Sequence, residues 1–216
     1  MATMQDVARR ANVAVSTVSY ALSGARPVAP RTAARIRAAM DELHYQPNAM
    51  ARGLASHRSR TLAMTFPRFD TAMGETVFEI VRGAQKGAAE EGYALAVWPL
   101  EEARVGEGLV GLVRQGKADG VLLVEVEMAD RRVAALSRAH LPFVMVGRPA
   151  RPAGIAHIDI DFERTVDDAV EALHRLGHRR IAFVGRPAAQ AAAGYGPAVR
   201  GRLGYERAVR ARGLEP

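Results

Sequence analysis

Short apolar runs alternate with amphipathic helical patterns from residue 61 to residue 184, and this alternation limits the fold more than any other feature of the sequence. One run, Gly120–Val126, is almost entirely apolar, which is typical of a strand buried on both faces of a parallel sheet. Strands that alternate with helices predict a doubly wound parallel sheet with helices on both sides. Ligands of such sheets bind at the carboxyl ends of the strands. The predicted strands are Thr61–Phe66, Ala94–Trp98, Gly120–Val126, Phe143–Val146, His157–Asp161 and Arg180–Val184, and the predicted helices are Phe78–Gly92, Gly106–Gln115, Asp130–Ala139 and Arg164–Leu176.

The first sixty residues differ from the rest of the chain in charge. The chain has 216 residues and a formal net charge of +7, and residues 1–60 hold nine basic and three acidic side chains. The remaining residues are almost balanced. A local basic excess favours contacts with nucleic-acid phosphates, because each neutralised phosphate releases counterions. A basic face that is simply solvated is the alternative on charge alone.

Helical spacing within this basic segment predicts three short helices. Thr3 followed by Asp6 is a capping pattern for a helix over residues 4–11. Apolar spacing predicts a second helix over Val15–Leu22, and Pro30 suits the first turn of a third. This is the helix-turn-helix plan, in which the second helix enters the major groove of DNA. Ordinary three-helix packing produces the same apolar spacing, but the short polar side chains of the second helix favour close approach to DNA.

Two stretches of this segment resemble the lac-repressor (LacI/GalR) family of bacterial transcription regulators. They are MQDVARRANVAVSTVSYALSG, from Met4 to Gly24, and LHYQPNAMARGL, from Leu43 to Leu54. The resemblance implies an all-α helix-turn-helix head followed by a hinge helix. At Leu54 it implies an apolar wedge that unstacks a base step from the minor groove, whereas a plain linker residue is the alternative. The positions that match the family's DNA-contacting residues are Val15, Ser16, Thr17, Ser19 and Tyr20 in the second helix and Asn48, Arg52 and Leu54 in the hinge helix.

The later residues resemble the effector-binding core of the same family, which has a periplasmic-binding-protein-like fold. The matching stretches are Ala118–Leu123, Pro142–Arg148 and Leu176–Gly185. The resemblance implies a small polar effector such as a sugar. Family members often carry an arginine where this chain has Gly201, so either neighbouring arginine is a candidate. The candidate effector-binding residues are Phe69, Asp70, Val77, Arg148, Asp161, Arg200 and Arg202, and the alternatives for Phe69, Asp70 and Arg148 are packing, capping and a solvated position.

The resemblance also divides the chain into regions. It implies a DNA-binding head over residues 1–46, a hinge helix and linker over 47–60, the N-terminal subdomain of the core over 61–190 and the start of a second subdomain over 191–216. Because family members are longer, we expect the core to be incomplete at its C-terminus and to leave sheet edges and apolar helix faces uncovered. The resemblance further implies a homodimer that reads a palindromic operator in double-stranded DNA.

Several classes of protein are disfavoured by what the sequence lacks. It has no cysteine, no apolar run long enough to span a membrane and no signal-peptide core, which together favour a cytoplasmic protein. It has no phosphate-cradling loop and no nucleophile elbow, so we predict neither an enzyme nor a cofactor. His157, Asp159 and Asp161 share one face of a predicted strand, but a single strand cannot surround a metal ion. No metal site is therefore predicted.

Two functions explain parts of the sequence. A sequence-specific DNA-binding regulator, most simply a repressor controlled by a small molecule, explains both the head and the core. A small-molecule-binding protein or sensor without a specific DNA function explains only the core.

Overall fold

The computed structural model describes residues 2–24, 26–46, 58–66, 75–98, 105–152 and 154–214. The chain separates into two compact units, residues 1–59 and residues 60–216. Each unit has its own buried apolar clusters.

The described residues of the first unit form three helices, α1 (Met4–Ala11), α2 (Val15–Ser23) and α3 (Pro30–Glu42). Helix α1 begins at a capping box, in which the Thr3 hydroxyl accepts a hydrogen bond from the backbone of Asp6 and the Asp6 carboxylate accepts one from the backbone of Thr3. Helix α2 ends at Gly24, whose φ of 69° suits a residue without a side chain. The three helices share a core of Val7, Ala8, Ala11, Val18, Ile36 and Ala39, which supports the predicted plan of three packed helices.

The second unit is built on a five-stranded sheet with the order β2-β1-β3-β4-β5, in which all neighbours are parallel. A strand order that is not sequential requires helical crossovers, as the alternating pattern predicts. The strands are β1 (Thr61–Thr65), β2 (Ala94–Val97), β3 (Gly120–Leu123), β4 (Phe143–Val146) and β5 (His157–Ile158). The helices are α4 (Glu75–Glu90), α5 (Val105–Arg114), α6 (Arg131–Arg138), α7 (Phe162–Arg175), α8 (Ala188–Ala192) and α9 (Gly196–Ala211).

Helices cover both faces of this sheet. Successive side chains of a strand point to opposite faces, so apolar strands need helices packed on each side. On one face, Ile80 and Val81 of α4 pack against the buried cluster of Met64, Phe66 and Val124. The other face packs against α5 and α6 through Val121, Leu123, Met145, Leu109, Val133 and Leu136. The predicted doubly wound α/β architecture is confirmed.

Helices α7 and α9 form a separate apolar cluster in which Val170 contacts Tyr205, Ala208 and Val209. The two helices approach closely at Gly204, where a Cβ atom would lie 2.7 Å from the carbonyl oxygen of Glu163. Ion pairs also join them, including Arg212 to Asp167 at 2.8 Å and Arg207 to Glu163 at 3.2 Å.

The strand predicted over Arg180–Val184 is wrong, because these residues form no strand in the structure. They pair with no described strand of the sheet, and Val184 is 96% exposed. The segment contacts Tyr205 of α9 instead. The Tyr205 hydroxyl donates to the carbonyl oxygen of Ile181 at 2.7 Å, and the Phe183 ring stacks on Tyr205 with centroids 5.3 Å apart.

Strands β1 and β2 end one residue before their predicted ends, and two other predicted strands end three residues early. Strand β3 ends at Leu123 instead of Val126, because Glu125 adopts a left-handed backbone with a φ of 52°. Strand β5 ends at Ile158 instead of Asp161. Among the described residues, no helix has the length and apolar character needed to cross a bilayer.

Candidate functional site

Helix α2 presents a surface of small side chains away from the core of the first unit. Val18 is fully buried between the helices, whereas Val15 is 42% exposed and Ser16 is exposed beside it. Thr17, Ser19 and Tyr20 are partly exposed. The five predicted base-reading or phosphate-contacting residues of α2 are therefore all accessible to a partner. Short side chains at this end of the helix leave room for the floor of a DNA groove.

The positive charge of the first unit is only partly neutralised by its own carboxylates. Arg9 lies 3.5 Å from Asp6, and Arg10 lies 2.6 Å from Glu42. Arg35 instead donates to the carbonyl oxygen of Asn12 at 3.4 Å, and a carbonyl does not cancel its charge. The guanidinium groups of Arg9, Arg10 and Arg35 can therefore attract the phosphates of a nucleic acid.

Arg26 is a further candidate that the sequence pattern did not reveal. Its guanidinium carbon lies 5.2 Å from the centre of the Tyr20 ring, within the range of a cation–π contact. The two residues are separated by the end of α2, so no helical spacing connects them. Of the predicted DNA-contacting residues, Asn48, Arg52 and Leu54 lie outside the described residues.

Polar residues converge at the carboxyl ends of β3, β4 and β5 in the second unit. Arg148, which follows β4, forms an ion pair with Asp159, which follows β5, at 3.0 Å. Asp161 caps α7 by accepting a hydrogen bond from the backbone of Arg164 at 3.0 Å. The predicted candidates Arg148 and Asp161 thus lie at the expected edge of the sheet, and both already have partners within the chain.

The start of α9 is held against this edge by backbone hydrogen bonds. Met128 donates to the carbonyl of Gly194 at 2.7 Å, and Gly196 donates to the carbonyl of Val126 at 3.2 Å. Arg200 is 3% exposed and donates to the carbonyl of Pro149 at 2.9 Å. Burial and the nearby positive charge of Arg148 lower the pKa of Arg200 from its ordinary value. Arg200 therefore supports the loop after β4.

Arg202 lies apart from Arg200, on the opposite side of α9. It is exposed and lies 3.6 Å from Glu206. It contributes to the rim of a half-open groove of about 480 Å³, a volume within the range of small-molecule sites. The groove is lined by Phe183, Gly185, Arg186, Ala188, Ala191, Ala192, Ala198 and Arg202.

The remaining effector candidates are Val77, Phe69 and Asp70. Val77 packs against the buried cluster beneath α4, so its contacts are those of a core residue. Phe69 and Asp70 lie outside the described residues. His157, which shares a predicted strand face with Asp159 and Asp161, contacts the carbonyl of Ile155 through Nδ1 at 2.8 Å.

Glu125 is the acidic residue that the sequence analysis missed at this edge. It directly follows the apolar run of β3, and its positive φ turns the chain away from the strand direction. Burial raises the pKa of the Glu125 carboxyl, although the charges of Arg186 and Arg132 act in the opposite direction. Burial and the charge of Glu125 raise the pKa of Tyr195, whose ring lies 5.5 Å from the guanidinium carbon of Arg186. A carboxyl, a phenol and a guanidinium together can bind a ligand rich in hydroxyl groups.

Comparisons with known proteins agree with this architecture. A family model described as "Bacterial regulatory proteins, lacI family" matches residues 3–48. The catabolite control protein A of Priestia megaterium is 30% identical over 183 residues, which cover 84% of this chain and 54% of the relative. The HTH-type transcriptional regulator CelR of Thermobifida fusca is 30% identical over 99% of this chain and 62% of its own length. The chain thus spans between half and two thirds of these curated relatives.

Solved structures show the same fold. A lac repressor dimer bound to operator and the anti-inducer ONPF matches all of this chain and 63% of its own chain, with a TM-score of 0.80 and 23% identity. A transcriptional regulator CelR–cellobiose complex matches with a TM-score of 0.58 and 28% identity, again over all of this chain and 63% of its own. The helix-turn-helix head thus matches the lacI family of bacterial regulatory proteins over residues 3–48, and the α/β core is similar to the cores of the regulators named above.

Proposed function

We propose that this protein is a sequence-specific DNA-binding transcription regulator, a repressor whose operator affinity is controlled by a small polar effector such as a sugar. The observation that carries the proposal is the exposed face of α2, where Ser16 and Tyr20 stand beside Val15 on a helix whose other side is fixed by Val18. The recognition helix of a helix-turn-helix protein needs this combination of a fixed inner side and an accessible outer side. No catalytic activity is proposed.

The proposed assembly is a cytoplasmic homodimer on a palindromic operator, since two copies related by a two-fold axis present two α2 helices to equivalent half-sites. Within each head, α2 reads base edges. In the hinge segment, we assign Asn48 and Arg52 to contacts near the DNA backbone and Leu54 to the minor-groove wedge. These assignments are supported by the family match over residues 3–48 and by the sequence motif that continues to Leu54.

The proposed effector is a carbohydrate, bound at the carboxyl ends of the strands. The relative solved as a CelR–cellobiose complex supports this class of ligand. The chemistry of the edge also supports it, because Glu125, Tyr195 and Arg186 together supply hydrogen-bond acceptors and donors for hydroxyl groups. Effector binding would change the operator affinity through a coupling free energy of about 1–3 kcal/mol.

Selection from a random pool of duplex DNA tests the DNA-binding part of this proposal. The 216-residue chain is mixed with the pool at several salt concentrations, and the bound fraction is sequenced. We expect one palindrome to be enriched, with a flexible central step suited to an apolar wedge. Weak binding with a steep salt dependence and no enriched sequence would leave the head as a non-specific basic unit.

Calorimetric titration with glucose, maltose and cellobiose tests the effector part separately. Saturable binding of one of them to the chain, together with a changed affinity for the selected palindrome, is the expected result. Saturable saccharide binding with no enriched palindrome favours the alternative function, a small-molecule sensor without a specific DNA target.

A further inference from the structure

Helix α6 begins with a buried ion pair. Arg132 is 2% exposed, and its guanidinium donates to both carboxylate oxygens of Asp130 at 3.0 and 2.7 Å. Asp130 also caps the helix, because it accepts a hydrogen bond from the backbone of Arg132 at 2.9 Å. Buried ion pairs often add little to folding stability, since desolvation offsets much of the attraction between the charges. The role of this pair is therefore inferred from its position in the fold and not from its contribution to folding stability.

The same guanidinium joins the ends of two strands. It donates to the carbonyl oxygen of Thr65, the last residue of β1, at 3.1 Å. It also donates to the carbonyl oxygens of Val124 and Glu125, which follow β3, at 3.0 and 3.4 Å. Only the planar, branched donor set of an arginine can reach these acceptors and a carboxylate at once.

These hydrogen bonds also hold the turn that presents Glu125. Its carbonyl is bound by Arg132 while its backbone takes a φ of 52°, which is unusual for a residue with a long side chain. The turn is closed from its other end, where Asp130 accepts a hydrogen bond from the backbone of Glu127 at 3.2 Å. Residues that are held in rarely populated backbone conformations concentrate at functional sites.

We propose that Arg132 and Asp130 form a positioning pair, which fixes the ends of β1 and β3 and places the Glu125 carboxyl for contact with the effector. This inference rests on the proposed carbohydrate-binding function and deepens it. Neither side chain of the pair touches the effector, because both are buried beneath the strand ends. The pair acts through the backbone of the turn that it holds.

A double-mutant cycle between Arg132 and Glu125 tests this role. Arg132→Lys keeps the charge next to Asp130 but cannot bind the carbonyls of both strand ends. Arg138→Lys, on the exposed side of the same helix, is the matched control. Dissociation constants are measured by calorimetry, on the complete 216-residue chain, for whichever of glucose, maltose and cellobiose binds the wild type most tightly. Circular dichroism establishes that each variant is folded.

We expect Glu125→Gln to weaken saccharide binding about tenfold in the wild-type background. In the Arg132→Lys background, the same substitution should change the dissociation constant less than about twofold, since the carboxyl is no longer held in place. The Arg138→Lys background should retain the full effect. If Arg132→Lys does not fold, Asp130→Asn replaces it in the cycle, because asparagine keeps an oxygen for capping and loses the charge.

The outcomes separate the two proposals. Full additivity between the substitutions, with saccharide binding intact, overturns the positioning role and leaves the proposed function standing. Absence of saturable saccharide binding to the wild type overturns the proposed effector class and the positioning role with it.

Discussion

The guanidinium carbon of Arg26 lies over the ring of Tyr20, 5.2 Å from its centre, so a residue beyond the end of α2 restricts a side chain on the outer surface of that helix. Tyr20 alone has several rotamers available on an exposed helix face. An exposed cation–π contact of about 0.5–1 kcal/mol is enough to favour one of them. Arg26 and Tyr20 therefore form one joint surface at the end of α2, which in the proposed function faces a DNA groove.

This contact predicts how two substitutions change operator choice. Tyr20→Ala should change the preferred base at one position of each half-site, because a base-facing side chain is removed. Arg26→Ala should relax the preference at that same position, because Tyr20 is no longer held. Selection and sequencing of bound DNA measure both effects. Arg31→Ala is the control, since an exposed arginine on α3 should affect affinity for all sequences equally. An unchanged preference in Arg26→Ala would mean that the contact has no role in recognition.

The capping box at Thr3 predicts the stability of the head. Thr3→Ala removes the hydroxyl that accepts the hydrogen bond from Asp6, and should lower the stability of the first unit by about 1 kcal/mol. Thr3→Ser keeps the hydroxyl and should retain most of that stability. Urea unfolding followed at amide resonances of α1 measures both. Equal losses in the two variants would show that the hydroxyl does not contribute.

The raised pKa of Glu125 predicts a dependence of folding stability on pH. The fold disfavours the ionised carboxyl, so its contribution is most favourable below the ordinary value of 4.5 and declines as pH rises through the raised folded-state pKa. Glu125→Gln removes this decline. We expect its unfolding temperature relative to the wild type to be higher at pH 7 than at pH 4, while saccharide binding weakens. A relative unfolding temperature that falls between pH 4 and pH 7 would contradict the burial of this carboxyl.

The close approach of α7 and α9 predicts the effect of adding one methyl group. In Gly204→Ala the new Cβ would lie 2.7 Å from the backbone oxygen and 2.9 Å from the Cα of Glu163, and backbone atoms cannot easily move away. We expect a loss of about 1–3 kcal/mol in the free energy of unfolding. Gly83→Ala on α4 is the matched control. Its new Cβ meets nothing within 4 Å, so this substitution should raise the free energy of unfolding by about 0.5–1 kcal/mol. Urea unfolding of the two variants measures the difference, and equal effects would contradict the tight packing.

Local features of the sequence predicted most of the secondary structure. The capping pattern at Thr3 placed α1 at its observed bounds, and the apolar run between Pro142 and Gly147 placed β4 at its observed bounds, Phe143–Val146. Periodicity succeeds in these cases because each element is specified by residues close together in the chain. It fails for Arg180–Val184, whose apolar run pairs with no described strand of the sheet.

The candidate sites were predicted less completely, because their geometry depends on contacts between distant residues. Arg132 follows another arginine at the start of a helix and reads as a solvated side chain, yet it binds the carbonyl of Thr65, which is 67 positions away. Glu125 lies inside an apolar run and reads as an interruption of a strand. The resemblance to a family made Arg148 and Asp161 candidates for effector binding, and this stays a prediction; it could not show that each already has a partner within the chain.

The most direct test of the central claim is the affinity of the chain for its selected palindrome compared with a scrambled duplex of the same composition. Fluorescence anisotropy at two salt concentrations gives both dissociation constants and their salt dependence. A sequence-specific regulator should bind the palindrome at least about a thousandfold more tightly, and this ratio should fall to a small value in Tyr20→Ala. Equal affinities for the two duplexes, with the same steep salt dependence, would contradict sequence-specific recognition and leave only phosphate binding.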